Sequence, residues 1–274
     1  MKVLNFNDPY VDSKGNVNNL EDVLSDSSVK ESVDDINNNL NASNAGAHNS
    51  IYRGKYLGNA LTTEQKAQIS AGTFNDLYIG DYWTINEVNY RIAAFDYWLN
   101  SGDTNCITHH VVIVPDTCLY KATMNDSNVT TGGYIGSAMY TTNLEQAKTT
   151  IRAAFNGHVL NHRIYLVNAV TNGSSSGGAW ADSEVDLMNE QMVYGGAIFS
   201  PTSDGSNVPA NYRVEKSQLP LFALDPSRIS NRDNSWLRDA VSAASFACVY
   251  GGGGANYYDA SYSFGVRPVF GITG

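Results

Sequence analysis

The chain reads as an α+β protein with many short strands, few helices and a distinct N-terminal segment, and three observations predict this. Runs of β-branched and aromatic residues are separated by Asn, Gly and Asp turn signals. Few windows carry the three-and-four spacing of an amphipathic helix. Residues 1–50 are rich in Asp, Asn and Ser and hold no aromatic residue between Tyr10 and Tyr52, too little apolar surface for a core of their own.

The elements follow in chain order. Val29, Val33, Ile36 and Leu40 form an a/d seam, predicting a helix over residues 28–40. A helix this short is marginal alone, which favours a self-associating stalk, here a trimer, over the alternative of a lone amphipathic helix lying on its own domain. Residues 51–76 are expected to connect stalk and head. They include a helix over 61–72, opened by a capping-box pattern from Thr62 to Gln65 and closed by Gly72. Strands are expected at 82–85, 90–95 and 110–114. A helix over 143–155 would bury Leu144, Ala147, Ile151, Ala154 and Phe155. After it come a strand over 163–167, a Gly/Ser loop over 171–178, a second helix near 183–194, and short strands ending in Gly265-Val266-Arg267-Pro268-Val269-Phe270-Gly271-Ile272. The main domain is therefore set at 77–274. No repeat of fixed period is present, which argues against a solenoid, a propeller or a β-helix.

Composition narrows the function classes. Apolar residues make up 42% and charged residues 16%, and 17 Tyr and 24 Gly join abundant Asn and Ser, a mixture suited to adaptable binding faces and equally to a loop-rich β fold. A net charge of −10 leaves no broad basic surface, so nucleic-acid binding is disfavoured. The opening residues carry no apolar signal core, and no transmembrane span is expected. Cys106, Cys118 and Cys248 match no zinc or redox spacing. They are expected as small buried residues, with a Cys106–Cys118 bridge as the alternative.

Chemical motifs are weak. Gly173-Ser174-Ser175-Ser176-Gly177 fits the G-x-S-x-G nucleophile elbow, yet all five histidines precede Ser175, against the hydrolase order, and a serine-rich loop meets the pattern by chance. His109 and His110 open a strand and point to opposite faces. His158 and His162 have H-x-x-x-H spacing without an intervening Glu. Asp96, Asp103, Asp116 and Asp126 offer a conceivable carboxylate pair for glycoside cleavage, but loop aspartates that cap turns are commoner. No P-loop lysine is present. Neither a cofactor, a metal site nor an enzyme activity is expected.

One resemblance stands out. The stretch from Ser235-Trp236-Leu237-Arg238 to Tyr262-Ser263-Phe264-Gly265-Val266-Arg267-Pro268-Val269-Phe270 resembles the end of the C-type-lectin-like domain of phage fibre and bacterial surface proteins. That group includes the variable proteins of diversity-generating retroelements and, more remotely, formylglycine-generating enzymes. The resemblance covers about residues 77–274. It implies a twisted antiparallel sheet buttressed by two helices, with a long loop before the last strand as the binding face.

Beside it, the residues assign Trp236 and Phe270 to the core, and they require a carboxylate or several carbonyls for Arg267, with Glu190 as the candidate. The four glycines at 251–254 allow a tight reversal. The candidate ligand-binding set is Ser245, Tyr250, Asn256, Tyr257, Tyr258, Asp259, Ser261 and Tyr262, where rings would stack on sugar or peptide and amides and hydroxyls would fix orientation. Residues 239–264 contain no Lys, Glu, Gln, Met or Trp. Retroelement diversification leaves such a set, and so does a loop chosen for flexibility.

The resemblance also has gaps. Neither a Glu-Pro-Asn nor a Trp-Asn-Asp cluster occurs, which puts calcium-mediated binding in doubt. The reactive cysteine pair of formylglycine generation is missing as well. The expectation is a virion surface or tail-fibre protein, made in the host cytoplasm, that binds a glycan or protein receptor on the host cell and contacts other virion proteins through its N-terminal segment. The alternatives are a head-decorating fibre that binds mucin or surface glycans, and a tail-associated hydrolase of polysaccharide or esters.

Overall fold

The computed structural model describes Tyr10–Val11, Val17–Asn18 and residues 45–200 and 217–274. The chain divides into two compact units, Met1–Ala42 and Ser43–Gly274. In the first, β1 (Tyr10–Val11) pairs antiparallel with β2 (Val17–Asn18). The stalk helix expected over 28–40 lies outside the described residues.

The second unit is mixed α+β, with two principal sheets and few helices. Its first elements are α1 (Ala45–His48), β3 (Tyr56–Gly58) and α2 (Thr63–Ala71). α2 carries the expected capping box between Thr62 and Gln65, and Gly72 ends it in the left-handed region at φ 67°. This segment is built into the unit: β3 joins a sheet beside the following strand, and Ile69, Phe74 and Leu77 are buried.

The strands β4 (Tyr82–Ile85), β5 (Val88–Phe95) and β6 (Val111–Pro115) match the expected segments to within a residue or two. They belong to a six-stranded sheet of order β10-β15-β6-β5-β4-β3, in which β10 is Val185–Leu187 and β15 is Pro268–Ile272. A π-helical turn at Met139–Asn143 leads into α3 (Glu145–Ala154). The predicted stripe is buried throughout, and Phe155 meets Tyr90 and Phe270 with ring centroids 5.3 and 5.5 Å apart. Burial of these large rings supplies much of the core's driving force.

Two expectations between 171 and 194 are overturned. The supposed Gly/Ser loop is half of a long hairpin, β8 (His162–Thr171) with β9 (Ser174–Ser183). Asn172 and Gly173 turn it with φ of 53° and 78°, the backbone that an Asn-Gly pair adopts in a two-residue hairpin turn. The supposed helix over 183–194 splits. Residues 185–187 pair with β15 as β10, and only α4 (Glu190–Tyr194) is helical, beginning where the Asn189 side chain caps it. α5 (Pro220–Leu224) and a 3₁₀ turn (Pro226–Arg228) complete the helices among the described residues.

The second sheet has the order β13-β12-β11-β14-β7, with β7 at Tyr120–Ala122, β11 at Ser235–Ala240, β12 at Ser245–Val249, β13 at Ala255–Asp259 and β14 at Phe264–Val266. Thus the terminal segment serves both sheets, β14 in one and β15 in the other, with Arg267 at the crossing. Arg267 is not paired with Glu190, as expected from sequence. Its guanidinium donates to the carbonyls of Pro115 (2.8 Å), Ile229 (3.1 Å) and Arg228 (2.9 Å). Full burial pulls its pKa down to about 10, and these bonds offset part of that desolvation. The carbonyls belong to two separate segments, so one side chain ties both to the sheet crossing.

Candidate functional site

The predicted recognition residues fall on the hairpin β12–β13 and the turn after it. A regular hairpin therefore replaces the expected long loop. β12 is buried along its whole length, whereas β13 is the edge strand. Tyr250, Tyr257 and Tyr262 are 52%, 46% and 52% exposed. Ser261 is exposed, and Asn256, Tyr258 and Asp259 are half-buried.

Ser245 is a correction to the set. It is buried and donates its hydroxyl to Asp259 Oδ1 at 2.9 Å, so it orients a neighbour instead of meeting a ligand. Asn128 holds the other carboxylate oxygen at 3.2 Å and also accepts from the Ser261 N–H. Asp259 and Ser261 are thereby fixed from a loop remote in sequence.

The residues do not crowd one patch. Successive side chains of a strand face opposite sides, and the partners confirm the division. Tyr257 meets Phe199 at 5.1 Å, edge to face. Tyr258 instead packs on Phe264 (4.9 Å) and Tyr262 (5.4 Å), and Phe264 lies 4.8 Å from the buried Trp236. One face of the ribbon therefore carries Tyr257 with Phe199, and the other carries an aromatic ladder rooted in the core.

Hydrogen bonds tie the hairpin to neighbouring segments. The glycine turn is fastened at Gly251, whose carbonyl accepts from Ser230 Oγ (2.8 Å) and whose N–H donates to Asn234 Oδ1 (2.9 Å). The Gly253 carbonyl accepts from the Tyr194 hydroxyl at 3.1 Å. The Asn256 side chain takes the Tyr257 N–H at 2.8 Å, which occupies one edge donor and opposes strand addition there. Glu190 has a different duty from the one expected: its buried carboxylate accepts the backbone N–H groups of Ile198, Phe199 and Ser200 at 2.9 to 3.2 Å. That locks the turn bearing Phe199 beside Tyr257. Sequence reading missed Ile198, Phe199 and Asn128. The first two had a signal, two large apolar residues together in a Gly/Ser-rich stretch, and are 50% and 37% exposed. Asn128 had none.

The weak chemical motifs resolve into structure. Ser175 is buried within β9, not at a strand-to-helix turn, so the elbow geometry is missing. Asp96 binds the His109 ring and the His110 N–H, Asp103 pairs with Arg163, and Asp116 with Arg91. Asp126 is exposed. His158 follows α3 and His162 opens β8, so the two do not share a helix. Burial lowers the pKa of His110, and it lowers that of His162 to about 3. All three cysteines are free, which removes the Cys106–Cys118 bridge. Among the described residues no group of three or more His, Cys, Asp or Glu is placed to hold a metal ion, and no helix is long and apolar enough to cross a membrane.

Comparison with family models, curated proteins and solved structures finds no match for this chain.

Proposed function

We propose that the chain is a virion surface protein of a phage, with a C-type-lectin-like head that binds a receptor on the host cell through the β12–β13 hairpin and the turn after it. The observation that carries this reading is the placement of Tyr250 in the glycine turn, Tyr257 on one face of the edge strand and Tyr262 after it beside the opposite face, each about half exposed around a hairpin whose inner strand is wholly buried. Preorganised rings lose little entropy on binding, and Tyr offers an apolar face with a polar tip. The sequence resemblance over 235–270 supports the family, and the terminal segment shared by two sheets is in keeping with it. The N-terminal unit is the virion anchor in this reading, and a trimer would raise avidity through repeated weak sites.

The test is binding of fluorescently labelled chain to a panel of bacterial strains. Wild type binds a subset of strains, and the triple variant Y250A/Y257A/Y262A loses at least tenfold in affinity while keeping its melting temperature. Equal binding by the triple variant would refute the hairpin as the contact surface. Release of reducing ends or acyl groups from the envelope would favour the hydrolase instead.

A further inference from the structure

A second surface carries its own argument. Two cavities, of about 460 and 120 Å³, both include Asn161 and Asp182 in their walls. They share that stretch of wall, where β8 starts and β9 ends, and the furrow is the surface spanning the two. The larger volume is in the range of small-ligand sites. One end is walled by Ile107, which is 81% exposed and sits in a tight loop closed by Asn100 N–H to Cys106 O and Cys106 N–H to Ser101 O. The other end is walled by Tyr140, whose ring lies 5.8 Å from Lys148 Nζ.

The chemistry of the walls selects a ligand. The larger cavity offers hydroxyls and carboxamides from Thr104, Asn105, Thr108 and Asn161 beside the Arg163–Asp182 pair, and the smaller is lined by Lys148, Asp182, Glu184 and Asp186. Both cations at the furrow are committed: Arg163 to Asp103 (2.8 Å) and Asp182 (3.2 Å), and Lys148 to Glu145 (2.7 Å). An anionic ligand would find no cation without breaking an ion pair, and it would face Asp182, Glu184 and Asp186. A neutral sugar offers what the walls need, hydroxyls for the amides and carboxylate and C–H faces for Ile107 and Tyr140.

We propose that this furrow binds a neutral oligosaccharide, as a site separate from the tyrosine hairpin and independent of it. The test is an array of immobilised neutral, amino and acidic oligosaccharides, with short peptides as a further arm, probed with the full chain. Asn161 is exposed and the Asp182 side chain is 72% exposed, so N161A/D182A and I107S leave the core intact, and N161W plugs the furrow without removing an ion pair. The expected result is binding of neutral oligosaccharides that falls at least tenfold in N161A/D182A, I107S and N161W and is unchanged in Y257A/Y262A. Four results would overturn it: no neutral oligosaccharide bound above background, a preference for acidic sugars or peptides, binding unaffected by all three furrow changes, or loss in the tyrosine variant alone. Failure of the tyrosine hairpin to bind cells would leave this outcome untouched.

Discussion

Replacement of His162 by Phe gives the sharpest test of the packing around β8. The His162 ring lies 4.2 Å from Trp98, and neither ring nitrogen has a hydrogen-bond partner among the described residues. Burial lowers its pKa from 6.5 to about 3. The folded state therefore holds this imidazole neutral while the unfolded chain takes up a proton below pH 6.5. The stabilisation is complete above that value and is lost as pH falls toward the folded pKa. The slope is about 1.4 kcal/mol per pH unit for one proton, so the loss between pH 7 and pH 5 comes to about 2 kcal/mol. His110 shifts in the same direction and is present in both proteins. Denaturant unfolding at pH 7 and pH 5 measures it: His162→Phe should gain about 2 kcal/mol on wild type as pH is lowered over that interval. Parallel pH dependence in the two proteins would refute the neutral, unpartnered imidazole.

Further outcomes are expected elsewhere. Arg267→Met should cost on the order of 3–5 kcal/mol in unfolding experiments, because buried carbonyls on two segments lose their donor, and Arg267→Lys should not restore it, since an ammonium lacks the guanidinium's fork. Gly265→Ala places a Cβ 2.2 Å from Cys118 Sγ and 3.0 Å from the Asn234 carbonyl. It should cost about 1–3 kcal/mol, partly recovered by adding Cys118→Ala, as read by thermal melts. Within the glycine turn, Gly253→Ala should cost about 1 kcal/mol, since its φ is 91° and Ser230 N lies 3.3 Å from the added carbon. Gly252→Ala, with nothing within 4 Å, should be close to neutral in the same melt.

How far the fold was legible depended on how local its causes are. The capping box at Thr62, the left-handed cap at Gly72 and the stripe from Leu144 to Phe155 are written in adjacent residues, and the structure reproduces them. Strands β4 to β6 declared themselves through β-branched and aromatic runs. Asn172-Gly173 was an equally local signal, but the serines and glycines around it read as loop. The β9 strand forms because β8 supplies a partner along its length, a tertiary cause that overrides composition. The same holds for residues 185–187, which β15 recruits from 81 or more residues away. At the site, the exposed tyrosines were legible from residue type, the glycine run at 251–254 and the resemblance over 235–270. Their division between two faces required the register of β12 against β13. The partners of Glu190 and Arg267 could not be read from sequence, because both are satisfied by backbone groups, and backbone groups carry no sequence signature.

The central claim is that the exposed tyrosine rings of the β12–β13 hairpin and the turn after it make the contact with the cell. Hydroxyl-radical footprinting with mass spectrometry, on the free chain and on the chain bound to the strain that binds it best, tests it residue by residue. Tyr250, Tyr257 and Tyr262 should label readily in the free chain and be protected on the cells, with Trp236 unreactive in both states. Unchanged labelling of all three tyrosines on binding, with protection elsewhere, would contradict the account.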